Sequence, residues 1–351
     1  MISLSICIAT FKRADVIGET LASILPQLTG AVEVVVLDGA SPDNTADVVG
    51  QFAAANSNVR YMRAETNSGI DADFDRAVAE ARGQHCWLFS DDDTLVPGAI
   101  AAVLAELGAS DPDLLVVDAE VRDRDLDGVF EHRRLAFSGR RQYDEGDQDR
   151  MLADLGDGLS FIGCAIIRRD IWMARERPTY YGSLFIHVGV LFQAPLTRVV
   201  ALGAPLIRIR IGNAMWTARG FQIWMFLWPD LIWSFAGFSD AAKAAVVPRE
   251  PWRQLQKLLV WRAHGVFGAQ EYRDHLRSRT VGVRALLTKI IAVLPGSAAH
   301  VLVVVLLALR GQATASSVYQ LIEGSRFSHP ISRWLAARFG YRYPVRSSSR
   351  D

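Results

Sequence analysis

Apolar and polar positions in the first hundred residues switch repeatedly between two patterns. Leu4 to Ala9 is almost continuously apolar, as a strand buried on both sheet faces would be, and Asp15 to Leu28 then places Val16, Ile17, Leu21, Ile24, Leu25 and Leu28 at helical spacing. Val32 to Leu37 is a second β-branched run ending in Asp38. Ser41-Pro42-Asp43-Asn44-Thr45 then supplies turn and N-cap chemistry ahead of Val48, Val49 and Phe52. Val59 to Met62 predicts a third strand, Asp71 to Arg82 a third helix, and Cys86 to Phe89 a fourth strand. Strands alternating with helices predict an α/β fold: an open, mostly parallel sheet with flanking helices on both faces. Ligands of such sheets collect beyond the carboxyl ends of the strands, where both Asp38 and Ser90-Asp91-Asp92-Asp93 fall.

Three adjacent carboxylates repel one another, so Asp91, Asp92 and Asp93 need either water around a loose loop or a bound cation. Mg2+ and Mn2+ take oxygen ligands, and Mg2+ in particular combines one or two carboxylates with substrate phosphates. The competing reading is an acidic turn whose aspartates cap the helical run Ala99 to Leu104 behind Pro97-Gly98. Asp38 on the same sheet edge favours a binding site, because unrelated turns have no reason to share an edge. No Gly-x-Gly-x-x-Gly follows the first strand and no Gly-Lys-Ser/Thr loop occurs, which disfavours dinucleotide and triphosphatase folds.

Further along, Leu114 to Val117 predicts a strand and the densely charged passage from Arg122 to Arg150 a solvated hairpin or loop. Phe161 to Ile167 predicts another strand, Asp170 to Glu176 a short helix, and His187 opens an apolar helix, where a histidine is ordinarily structural. Trp216, Trp224, Trp228 and Trp233 mark an aromatic region. Trp224, Leu227, Trp228 and Leu231 share one helical face, which Pro229 should kink or end. Such rings suit core packing, a membrane interface or a sugar platform. Leu286 to Leu294 and Val301 to Leu309 are apolar helices split by Pro295-Gly296-Ser297, each too short for a bilayer core of about 30 Å. An in-plane membrane segment with Arg284, Lys289 and Arg310 near headgroups, a buried helical pair and an oligomer contact all stand open. Residues 346–351 are expected to be disordered. The division expected is a catalytic domain over 1–213, an aromatic and helical region over 214–345, and that tail.

Half of the 351 residues are hydrophobic, enough for a substantial core. Lys+Arg and Asp+Glu both number 38, which removes any global attraction to nucleic acid. Cys7, Cys86 and Cys164 lie in apolar runs and read as core residues of a reducing compartment. Met1 to Ile8 lacks a basic leader and a cleavage site, so it reads as a strand and not an export signal.

With these residues in place the chain resembles family 2 glycosyltransferases of the GT-A fold, within them an abequosyltransferase-like branch of bacterial O-antigen enzymes. The resemblance is carried by Ser5-Ile6-Cys7-Ile8-Ala9-Thr10-Phe11-Lys12-Arg13, Val35 to Thr45, Asn67-Ser68-Gly69-Ile70-Asp71 and Ser90-Asp91-Asp92-Asp93, and extends through Phe185-Ile186-His187 and Ile211 to Trp216. It implies a nucleotide-sugar donor held by Thr10, Phe11, Arg13, Asp38, Asn67, Asp71, Asp91 and Asp92. It also implies Mg2+ or Mn2+ on Asp93 and Asp91, and a polyprenyl-linked saccharide acceptor near Asn213 and Trp216. The enzyme would be inverting and peripherally attached to the inner face of the cell membrane, with a homo-oligomer contact as a further expected partner. The usual Glu-Asp pair is missing; His187 stands in its neighbourhood and becomes the expected general base, with Asp157 in reserve. A second acidic or amide residue common after Asp38 is replaced by Gly39. The missing pair also admits a non-catalytic nucleotide-sugar or saccharide-binding protein, and a nucleotidyltransferase is a third reading.

Overall fold

The computed structural model describes residues 2–213, 217–310 and 315–338. These divide into two compact units that interleave in sequence. The first holds residues up to 120, then 132–209 and 231–247; the second holds 121–131, 210–230 and the chain from 248. The boundary expected lay between 213 and 214; the exchanged segments 121–131 and 231–247 cut across that division.

The first unit is built on a sheet whose strands are β1 (Leu4–Thr10), β2 (Val32–Asp38), β3 (Val59–Arg63), β4 (His85–Phe89), β5 (Thr94–Leu95), β6 (Leu114–Arg122), β7 (Val129–Glu131), β8 (Arg140–Asp144), β9 (Ala165–Arg168) and β10 (Arg198–Arg210). Their order is β3-β2-β1-β4-β9-β6-β10-β5, with β8 beside β10 and β7 pairing the last residues of β6 in the second unit. Helices α1 (Ile17–Ile24), α2 (Thr45–Ala55), α3 (Ile70–Glu80), α4 (Ala99–Ser110), α5 (Gln148–Leu155), α6 (Arg169–Ala174) and α7 (Ile186–Phe192) belong to the same unit. β1 and β2 are buried along their whole lengths, which is why they lack alternation. α1 buries Ile17, Leu21 and Ile24, and α3 buries Phe74, Ala77 and Val78.

The mostly parallel sheet expected is parallel only across β3-β2-β1-β4. β9 runs antiparallel to both β4 and β6, and β10 antiparallel to β5 and β8, so the sheet is mixed. Antiparallel neighbours need no helical crossover, so no strand–helix rhythm announced them. The strand expected from Phe161 begins only at Ala165. Residues Gly158–Ser160 and Ile162–Cys164 form tight helical turns instead, and Trp87 Nε1 donates to the Gly163 carbonyl at 2.7 Å. The charged passage is more ordered than expected, holding β7, β8 and α5, with Arg141 paired to Asp154 at 2.9 Å and Arg140 to Glu106 at 3.0 Å.

The second unit is helical. Phe221, Phe226, Trp252, Leu258, Phe267 and Leu276 form one of its cores, with Phe221 stacked on Phe267 at 4.7 Å. Ile223–Leu227 is a π-helical turn that runs directly into the helix Trp228–Ser234, so Pro229 sits just after the π turn in a continuous helical stretch and does not end it. Gly282–Val293 and Gly296–Leu307 are bent by 105° at Leu294-Pro295, and no single helix among the described residues is long and apolar enough to cross a membrane. Trp216 and the expected disordered tail lie outside the described residues.

Candidate active site

The chain winds β1, β2, β3 in one direction and then crosses to β4 on the other side of β1, which makes the carboxyl end of β1 the switch point of the sheet. Thr10 lies opposite Asp38 in the β1–β2 register, and Ile8 lies opposite Phe89 in the β1–β4 register. Asp91, two residues beyond Phe89, is thereby level with Thr10. Two non-glycine residues next to this edge, Lys12 (φ 58°) and Ala40 (φ 62°), adopt the left-handed backbone region, which concentrates at binding sites because the surrounding structure must hold it.

Asp91, Asp92 and Asp93 are all buried. Arg13 bridges the first two, Nε to Asp91 Oδ1 at 3.3 Å and a terminal nitrogen to Asp92 Oδ2 at 3.2 Å. Ser90 Oγ also donates to Asp92, and Thr20 Oγ1 donates to the Asp91 carbonyl at 3.1 Å. Burial, with Asp92 alongside, still pushes the Asp91 carboxyl up to about 7, despite Arg13 and the neighbouring Thr10 hydroxyl. The capping reading of these aspartates does not hold for α4, whose N-cap is Gly98 in a left-handed conformation with no side-chain cap.

Asp38 is fully buried and accepts from the Ser41 N–H at 2.8 Å and the Tyr61 hydroxyl at 2.7 Å, with Arg63 Nε at 3.8 Å. A Cβ on Gly39 would lie 2.6 Å from Asp73 Oδ2. The place of a second acid after Asp38 is therefore filled from α3, by a residue that the sequence reading missed. Burial raises the Asp73 pKa, opposed by Ser68 and Arg76 and reinforced by Asp38. The signal available was the alternation Asp71, Asp73, Asp75 at the start of a helix.

Asn67 is exposed and its Oδ1 accepts from the Gly69 N–H at 2.9 Å, an Asx turn leading into α3. Asp71, expected to hold the donor, faces its own chain: Oδ2 accepts from the N–H groups of Gly182 (2.8 Å) and Leu184 (2.9 Å), and Oδ1 from Ile186 (3.1 Å). One turn further, Asp75 accepts from Trp172 Nε1 at 2.9 Å and pairs with Arg177 at 2.8 Å. These two carboxylates fix the segment from Arg177 to α7. Phe11 lies beside the site with Lys12 Nζ 5.1 Å from its ring centre, and Asn213 belongs to the second unit.

Residues 5–173 match the family model described as glycosyl transferase family 2. That segment is a family 2 glycosyltransferase domain. Over 234 residues the chain is 27% identical to an abequosyltransferase of Salmonella typhimurium, covering 62% of this chain and 69% of that one. It is 32% identical over 137 residues to a PGL/p-HBAD biosynthesis glycosyltransferase of Mycobacterium tuberculosis, covering 38% of this chain and about half (54%) of the relative. Among solved structures, the 1–349 fragment of S. aureus TarS in complex with UDP-GlcNAc superposes with a TM-score of 0.53 at 16% identity, covering 97% of this chain and 92% of the fragment. At that identity the likeness shows a shared fold, the GT-A arrangement.

The fold does not give His187 the setting of a general base. The ring is 1% exposed and its Nε2 sits 2.7 Å from the Leu159 carbonyl, an acceptor only, so Nε2 carries the proton. Burial pushes the imidazole pKa down to about 4. A neutral ring sealed between α7 and the Leu159 turn holds that turn in place, and its weak basicity suits it poorly to deprotonating a hydroxyl at neutral pH. Asp157 opens the same turn, with a side chain 81% exposed and Arg134 at 4.0 Å.

The donor set fits a hard divalent cation. It offers buried carboxylate oxygens at the end of β4, and Asp91 remains hard to ionise with Arg13 as its cationic neighbour. No group of three or more His, Cys, Asp or Glu arranged to hold a metal occurs among the described residues. A cation shared with a phosphate would need only one or two of these carboxylates.

Proposed function

We propose that this chain moves a sugar from a nucleotide-sugar donor to a lipid-linked saccharide acceptor in bacterial surface polysaccharide synthesis, with inversion and with Mg2+ or Mn2+. The observation that carries the reading is the convergence of Asp38, Asp73 and Asp91-Asp92 on the switch point of a family 2 domain, with Arg13 spanning the last pair. A bound divalent ion would neutralise the leaving nucleoside diphosphate, and Asp91 with Asp93 are the residues to hold it. Thr10, Phe11, Arg13 and Asp38 border the donor's base and ribose. Asp38 is held rigid by Tyr61 and Ser41, so its position costs no rearrangement on binding. For the acceptor proton we assign Asp157: it is the exposed carboxylate on the turn that His187 fastens.

The test is nucleoside diphosphate release from UDP-, dTDP-, GDP- and CDP-sugars with Mn2+, with EDTA, and in Asp157→Asn. Metal-dependent release of diphosphate that falls at least a hundredfold in the variant supports the assignment. The buried, neutral His187 also favours a second reading, a saccharide- or nucleotide-binding protein without turnover. Binding with no release from any donor would establish it, and pyrophosphate release would mark a nucleotidyltransferase.

A further inference from the structure

The helix Gly282–Val293 is built inside out for a water-facing helix. Its buried residues are Thr288 and Ala292, whereas Val283 (73% exposed), Leu286 (58%), Ile290 (49%) and Val293 (60%) face outward, with Leu287 beside them. At 3.6 residues per turn these five fall within about a third of the helix circumference. A helix packed for water would reverse the two sets. Arg284 and Lys289 are exposed and flank the apolar stripe on its two sides. Ile331 and Trp334, on Pro330–Arg338 of the same unit, repeat the inversion, with Ser332 and Ala336 turned inward.

Charge decides between possible occupants. No carboxylate occurs in the sequence between Asp274 and Glu323, while Arg277, Arg279, Arg284, Lys289 and Arg310 do. A second copy docked through this stripe would set cation against cation with no acid on the segment to offset them. A bilayer rich in anionic headgroups supplies both the apolar phase and the counter-charge. This helix alone does not span: twelve residues reach about 18 Å, against a core of about 30 Å, and the next helix turns away by 105°.

We propose that Gly282–Val293 lies in the plane of an anionic membrane surface, its Val283-Leu286-Ile290-Val293 stripe among the acyl chains and Arg284 and Lys289 at the headgroups. The proposal deepens the reading of a lipid-linked acceptor but is read out without donor or acceptor, so the two fail separately.

The test is flotation of the full chain with phosphatidylcholine vesicles and with vesicles containing phosphatidylglycerol. Expected is binding at least tenfold stronger to the anionic vesicles, weakened by salt. Leu286→Gln with Ile290→Gln should lower binding at least tenfold, and Arg284→Gln with Lys289→Gln should remove the preference for anionic lipid. Both pairs are exposed, so unchanged thermal unfolding shows the variants folded. Absence of vesicle binding by the parent overturns the proposal, as does undiminished binding by the Leu286/Ile290 variant. A concentration-dependent dimer that this variant abolishes, without lipid binding, would assign the stripe to a second copy instead.

Discussion

Asp71→Asn separates a residue that shapes the site from one that touches the ligand. The carboxylate receives three backbone N–H groups, from Gly182, Leu184 and Ile186. An amide keeps one oxygen, enough for the Gly182–Leu184 pair, and turns its NH2 toward Ile186. Losing one charge-assisted bond costs about 1.5–3 kcal/mol, and reducing the other two to neutral bonds costs about 1 kcal/mol each. Against this, Leu184 is held at φ 67°, and relaxing out of the left-handed region returns about 1–2 kcal/mol. The net is about 3 kcal/mol, felt first as local opening of the segment that leads into α7. Amide exchange at Gly182, Leu184 and Ile186 should therefore quicken by roughly a hundredfold, at about 1.4 kcal/mol per factor of ten, with strands β1 and β2 unchanged. Exchange within threefold of the parent, together with a raised donor KM, would refute the positioning role and return Asp71 to the ligand.

Gly39→Ala places a methyl group 2.6 Å from Asp73 Oδ2 and should cost about 1–3 kcal/mol in urea unfolding while weakening stabilisation by nucleoside diphosphates in a thermal-shift assay. Desolvation pushes the folded-state pKa values of His187 and His264 down to about 4, below the unfolded value of about 6.5, so the unfolded chain takes the proton first. Their contribution is complete above about pH 6.5 and is lost as pH falls toward 4; the urea midpoint should drop across that window, and less steeply in His187→Gln. Arg13→Gln leaves Asp91 and Asp92 without their shared cation and should cost about 3–5 kcal/mol, part of it restored by Mn2+ alone in thermal unfolding. No response to Mn2+ in parent or variant would remove the cation from this site.

The parallel half of the sheet was legible because buried parallel strands write themselves as unbroken apolar runs, and each ended in a polar cluster that marked the ligand edge. The antiparallel half left no such rhythm, and the segments 121–131 and 231–247 that the two units exchange carry no compositional boundary. His187 was expected to be a general base, whereas in the fold its ring is buried. Its burial depends on the Leu159 carbonyl, 28 residues away in sequence, which no local pattern encodes. Asp73 was overlooked because an acid in the first turn of a helix suits the helix dipole without any further role, and only the fold turns it toward Gly39, as it turns Asp71 toward the 182–186 amides.

The same physics makes the site expensive to keep and useful to have. One guanidinium, that of Arg13, spans two buried carboxylates, and the buried Asp93 follows them directly in the chain. At Asp91, burial and the neighbouring Asp92 push the carboxyl up to about 7. A divalent cation bound here as proposed would offset the repulsion among these carboxylates and could be shared with an anionic group from outside the protein. An acidic cluster serving only the fold has no use for such sharing, whereas the proposed diphosphate site would need it.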